Sequence, residues 1–153
     1  MTLRTSFTDA MKEAMKAKDA PRLGAVRMAM AELKKRDIDA RATGNMDGIA
    51  DGEILAMLQK MIASRRDSIA LYNQGGRPEL AQAEAAEIAV LETFLPQQMS
   101  AADVEAAIDA AVTETGASSL KDMGKVMAIV KAKYTGQMDL GAASAAIKKR
   151  LGG

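Results

Sequence analysis

The chain contains no cysteine, no histidine and no tryptophan, and only four aromatic residues: Phe7, Tyr72, Phe94 and Tyr134. Without Cys or His it cannot assemble a zinc site from the usual ligands, a thiol nucleophile or an imidazole general base. Lack of cysteine also removes the disulfide framework that small exported domains rely on. No apolar run exceeds five residues, as in Ile54 to Leu58, against the roughly 18 that suggest a membrane span. The opening MTLRTSFTDAMKEAMKAK has no apolar h-region of a secretory signal. These absences together predict a cytoplasmic protein.

What is present is helix-forming material. Of 153 residues, 48% are hydrophobic and 27% charged, with a net charge of +1, which excludes a disordered chain. Alanine occurs 31 times and methionine 12 times, whereas Val and Ile together number 15. Such a chain is poor in the β-branched and aromatic residues that fill sheets, and an all-α fold is expected.

Apolar periodicity divides that fold. Leu3, Phe7, Met11 and Met15, with Ala10 and Ala14 beside them, form one stripe of a first helix ending near Lys18. Asp19 and Pro21 supply a cap and a first-turn proline for a second helix carrying Leu23, Val26, Met30 and Leu33 inward. A loop from Gly44 to Ala50 leads to Asp51, a candidate cap for a third helix with Ile54, Leu55, Leu58, Met61, Ile62, Ile69 and Tyr72 on one stripe. Gly75 and Gly76 stop it, and Pro78 opens a fourth helix facing inward with Leu80, Ile88, Leu91 and Leu95. Pro96 and the N-cap candidate Ser100 then mark a boundary, giving an N-terminal helical domain over 1–95 and a three-helix tail domain over 100–153.

Charge is uneven in that tail. Residues 101–118 carry four acids and no base, while residues 119–153 carry seven bases, Lys121, Lys125, Lys131, Lys133, Lys148, Lys149 and Arg150, against two acids. With Met123, Val126, Met127, Val130 and Tyr134 turned inward, Lys121, Lys125 and Lys133 are expected on one outward arc. Such a surface suits an anionic partner such as RNA; it also suits plain solubility.

Other motifs read as structure. Gly124-Lys125 lacks the first Gly of a phosphate loop, which is Ser119 here, and has Val126 where Mg²⁺ would need Ser or Thr. Gly124 is instead expected to allow close helix packing or close approach of an RNA backbone. Ser119 with Asp122 fits an S-x-x-D capping box, in preference to the nucleophile of an amidase Ser-Ser-Lys set. Arg65 interrupts the apolar stripe of the third helix and needs an acid; across a helical hairpin, Glu84 or Glu87 is the expected partner. Neither an activated nucleophile nor a phosphate cradle is legible, so no catalytic residue, metal or cofactor is assigned.

Residues 116–127 read Gly-Ala-Ser-Ser-Leu-Lys-Asp-Met-Gly-Lys-Val-Met, and Asp122, Met123, Gly124, Lys125, Val126 and Met127 in particular resemble the signature of the GatB/YqeY family. The resemblance extends to Arg27, to Arg65-Arg66-Asp67-Ser68-Ile69, to Gly76-Arg77-Pro78-Glu79-Leu80 and to Phe94-Leu95-Pro96. One departure is Gly136-Gln137-Met138-Asp139, where the family tends to have Gly-Arg-Ala-Asp. This family consists of stand-alone relatives of the tail of the B subunit of tRNA-dependent amidotransferase. The resemblance implies an all-α protein whose tail contacts tRNA, and a family association with carbon-nitrogen ligase activity using glutamine as amido-N-donor.

Three functions follow as expectations. The tail binds tRNA or a tRNA-bearing assembly through Lys121, Lys125, Lys133, Lys148, Lys149 and Arg150, which position phosphates without reading bases. Alternatively the chain is a protein-interaction adaptor, its Met-rich helices gripping a partner. In the third, it assists amidotransferase subunits, a reading that rests on family analogy alone.

Overall fold

The computed structural model describes residues 2–152 and is all-α: among these residues it has seven helices and one 3-10 turn. The helices are α1 (Leu3–Lys16), α2 (Ala20–Ala42), α3 (Asp51–Gln74), α4 (Pro78–Glu92), α5 (Ala101–Thr115), α6 (Met123–Tyr134) and α7 (Leu140–Gly152). None of them is long and apolar enough to cross a membrane. Two compact units divide between Leu95 and Pro96.

In the N-terminal unit, local chemistry starts and stops each helix. The Thr2 hydroxyl accepts the Thr5 N–H at 3.2 Å, and Asp19 Oδ1 accepts the Arg22 N–H at 3.1 Å. At α3 the cap is Ala50 rather than Asp51, and Glu53 Oε2 accepts the Ala50 N–H at 3.0 Å. Asp51 is thus a first-turn acid, favourable beside the positive helix end. Gly76 takes φ +72°, a left-handed conformation that lets the chain reverse from α3 into α4.

Phe7, Leu33, Ile54, Met57, Leu58, Ile62, Ile88 and Leu91 form the core of this unit. Phe7 meets Phe94 edge-on with centroids 4.6 Å apart, a favourable quadrupole arrangement. Met15 does not join them: it is 52% exposed, while Ala10 and Ala14 are buried. Small alanines let helix backbones approach closely, so at this end of α1 the contact is made by Ala and the long Met side chain is left outside. Arg65 is buried and its Nε donates to Glu87 Oε2 at 2.8 Å, with Glu84 at 4.0 Å. The same guanidinium donates to the Met61 carbonyl at 3.2 Å. Arg65→Ala should therefore cost roughly 3 kcal/mol in thermal or denaturant unfolding, because it opens a void and strands the carboxylates. A loss below about 1 kcal/mol would mean that the pair contributes nothing to this hairpin.

The C-terminal unit has its own core of Ala107, Ile108, Ala111, Val126, Val130, Met138, Ala143 and Ile147. Ser100 Oγ accepts the Asp103 N–H at 3.1 Å to start α5, and Gly116 ends it at φ +67°. The segment before α5 is tied to the α6–α7 loop: the Met99 N–H donates to the Gln137 carbonyl at 2.9 Å, and Gln98 Nε2 to the Gly136 carbonyl at 2.6 Å. Between Ser119 and Tyr134 the chain forms a 3-10 turn over Leu120–Asp122 followed by α6.

Candidate nucleic-acid interface

Residues 118–127 build a tight entry into α6. Asp122 Oδ2 accepts the N–H groups of Ser118 at 3.0 Å and Ser119 at 3.4 Å, so the Asp half of the expected capping box is formed. The Ser118 N–H, then the Ser119 N–H and the charge of Lys125, hold the Asp122 carboxyl below the usual carboxylate range. Met123 and Met127 pack on the core, and Val126 is fully buried. Lys121, Gly124 and Lys125 are exposed.

Gly124 is not at a helix contact. A Cβ placed on it would meet nothing within 4 Å, which corrects the expectation of close helix packing. A glycine in the first turn of a helix, open to solvent, costs stability relative to alanine and gains nothing within the fold.

The six candidate phosphate contacts do not form one uniform arc. Lys133 lies two turns after the buried Val126 and so points toward α5, where its Nζ is 3.3 Å from Glu114 Oε2. Arg150 is ion-paired with Asp109, also on α5. The acids of α5 thus engage two of the six, although both cations remain exposed. Lys121, Lys125, Lys148 and Lys149 are exposed, and among the described residues none of the four is in an ion pair or side-chain hydrogen bond. Leu120 packs against the end of α7, since a Cβ on Gly152 would meet its side chain at 3.4 Å. Lys149 lies toward α5, lining with Val104, Glu105, Ile108 and Asp109 a groove of about 570 Å³.

The 136–139 loop is structural. Met138 is buried, and Asp139 Oδ1 accepts the Gly141 N–H at 2.9 Å to start α7. Of the other residues that carry the family resemblance, Arg66 and Arg77 have local partners. Arg66 reaches Glu92 at 3.5 Å, Arg77 donates to Glu79 at 2.7 Å, and Arg27 is exposed.

Sequence reasoning missed a second charge pair, one whose acid is buried. Asp37 on α2 is buried; its Oδ1 accepts from Arg4 Nη2 at 2.9 Å and from the Ile49 N–H at 2.9 Å, and Oδ2 accepts from Arg4 Nη1. Arg4 Nη2 also donates to the Ile49 carbonyl at 2.7 Å. The Arg4 hydrogen bonds, followed by the Ile49 N–H, hold the Asp37 carboxyl below its ordinary range against the opposing effect of burial. A signal was available: Asp37 follows Leu33 by four residues and Val26 by eleven, so it interrupts an apolar stripe as Arg65 does.

The sequence profile of the family described as Yqey-like protein matches residues 4–151. Among curated proteins, altered inheritance of mitochondria protein 41, mitochondrial, of Lachancea thermotolerans is 32% identical over 103 residues, 67% of this chain and 52% of that protein. The protein of the same name from Candida glabrata is 31% identical over 87 residues, 57% of this chain and 46% of its own. The one from Kluyveromyces lactis is 33% identical over 84 residues, 55% of this chain and 43% of its own. The chain spans about half the length of these relatives.

Proposed function

Because the chain belongs to the Yqey-like protein family, we propose that its C-terminal unit is a tRNA-binding module holding phosphates through Lys121, Lys125, Lys148 and Lys149. The observation that supports this most is the exposure of Lys121, Gly124 and Lys125, with neither lysine in a salt bridge among the described residues and Gly124 open. A bare backbone between two lysines admits a phosphodiester chain more closely than any side chain would allow. Lys133 and Arg150, ion-paired with Glu114 and Asp109, are left out of the phosphate set. The reading assigns no bond-making step to this chain; association with amidotransferase subunits, and with carbon-nitrogen ligase chemistry, would run through the tRNA they share. Both the cytoplasm and the mitochondrion named for the relatives contain tRNA.

Reversing Lys121, Lys148 and Lys149 to Glu together should lower tRNA affinity at low salt by at least about tenfold, with little change in melting temperature because exposed charges contribute little to folding. Equivalent reversal of Lys16, Lys18 and Lys60, exposed in the other unit, is the comparison. Equal loss from both sets would point to diffuse attraction, and the adaptor reading would then be preferred. Gly124→Ala separates function from fold more sharply. It should stabilise α6 by roughly 0.5 kcal/mol while weakening tRNA binding; unchanged binding would remove Gly124 from the interface.

A further inference from the structure

We propose that the groove between α1 and α2 of the N-terminal unit is a phosphate-binding site, formed by Arg4, Lys34 and Arg41 over an apolar floor. These three cations line one cavity of about 320 Å³ with Phe7, Thr8, Met30, Leu33 and Asp37. That size is at the small end of ligand pockets. Phe7 and Leu33 are buried and fix the floor.

The charge does not cancel. Among the described residues Asp37 is the only acid lining the groove, and both its oxygens are taken by Arg4 and the Ile49 N–H; Asp51, outside the lining, also acts on Arg4 by its charge. Among the described residues Lys34 has no ion pair or side-chain hydrogen bond, and Arg41 makes a long bond from Nε to the Met46 carbonyl at 3.4 Å and acts on Asp37 by its charge alone. Arg4 carries five N–H donors; one on Nη1 and both on Nη2 go to Asp37 and Ile49. Its Nε and second Nη1 hydrogens remain, on a side chain that is 38% exposed. The Arg4 guanidinium is fixed in place by Asp37 and the Ile49 carbonyl and has a single N–H left for an oxyanion on either edge, while Lys34 and Arg41, lining the same groove, supply the further positive charge that a phosphate dianion needs. Lys34 and Arg41 lie seven residues apart on α2, and Arg27 lies seven before Lys34, so the same face continues as a cationic row. The ligand chemistry is a phosphate group, supplied by a free phosphate compound or by an RNA backbone.

The test is an amide chemical-shift titration of the full chain carrying the Lys121→Glu, Lys148→Glu and Lys149→Glu changes, so that the tail surface plays no part and its failure would not affect the result. The probes are inorganic phosphate, pyrophosphate and a short single-stranded RNA oligonucleotide. Saturable shifts at Thr8, Lys34, Arg41 and Ile49 are expected. Lys34→Gln with Arg41→Gln should weaken them by about tenfold or more, and Lys34→Arg alone should retain them. Because Lys34 and Arg41 are exposed and in no ion pair, an unchanged melting temperature will show that the variant is folded. Saturation by phosphate or pyrophosphate alone assigns a free phosphate compound; preference for the oligonucleotide assigns an RNA backbone. No saturable shift with any probe, or identical shifts in the double Gln variant, would overturn the site.

Discussion

Asp37→Ala should destabilise the N-terminal unit by about 3 kcal/mol. The change leaves Arg4 without its bidentate partner and the Ile49 N–H without an acceptor, and each orphaned group adds a desolvation penalty. It also unties three elements at once, since the carboxylate joins the first turn of α1 to the last third of α2 and to the loop entering α3. Its pH dependence has a definite sign. The folded carboxyl is held below its ordinary value of about 3.9, so its contribution is complete above that value and is lost as pH falls through the lower, folded one. The stability gap between wild type and Asp37→Asn should therefore stay constant from neutral pH to about pH 4 and shrink only below it. A gap that closes already near pH 6 would show that another group is responsible.

Gly48→Ala should be comparably damaging, for a steric reason. Gly48 sits at φ +84°, and a Cβ there would lie 2.4 Å from Asp37 Oδ1 and 2.8 Å from its Cγ. The carboxylate would have to leave Arg4 and Ile49, so the strain of the left-handed backbone, about 1 kcal/mol, adds to most of the cost of breaking the pair. Gly76 provides the internal reference, because its φ of +72° is similar but nothing lies within 4 Å of a Cβ. Gly76→Ala should therefore cost only the backbone strain, and the difference between the two variants isolates the collision. In an Asp37→Ala background, Gly48→Ala should add little beyond that strain. Equal melting temperatures for Gly48→Ala and Gly76→Ala would mean the Asp37 carboxylate is not held against Gly48.

Periodicity and punctuation made the helices legible. Asp19, Pro21, Pro78 and Ser100 stand at helix starts, and Gly76 and Gly116 take the left-handed conformations expected at turns. Arg65 was legible because a charge inside a long apolar stripe demands a partner, and a hairpin offered two acids at the right height. Asp37 obeyed the same rule, but its partner lies 33 residues away on another helix and its second donor is a loop N–H, so no local spacing reveals the pair. Met15 shows the limit of hydrophobicity as a guide to burial: two alanines one turn apart gave closer packing than a long flexible side chain. At the candidate interface, sequence supplied the cations and not their engagement. Lys133 stands seven residues after a core valine, and helix geometry alone would have turned it toward α5; Arg150 required knowledge of where Asp109 falls.

The central claim is that the tail grips RNA phosphates with a small, countable set of lysines, and the salt dependence of tRNA affinity measures that count. Each neutralised phosphate contributes a log-log slope of about −0.7 to −0.9, so four unpaired lysines predict a slope near −3 for wild type. Reversal of Lys121, Lys148 and Lys149 should bring it toward −1 or abolish binding. A wild-type slope near −3 that flattens in the triple variant is the predicted result. No tRNA binding at low salt, or a slope the triple variant leaves unchanged, would contradict it.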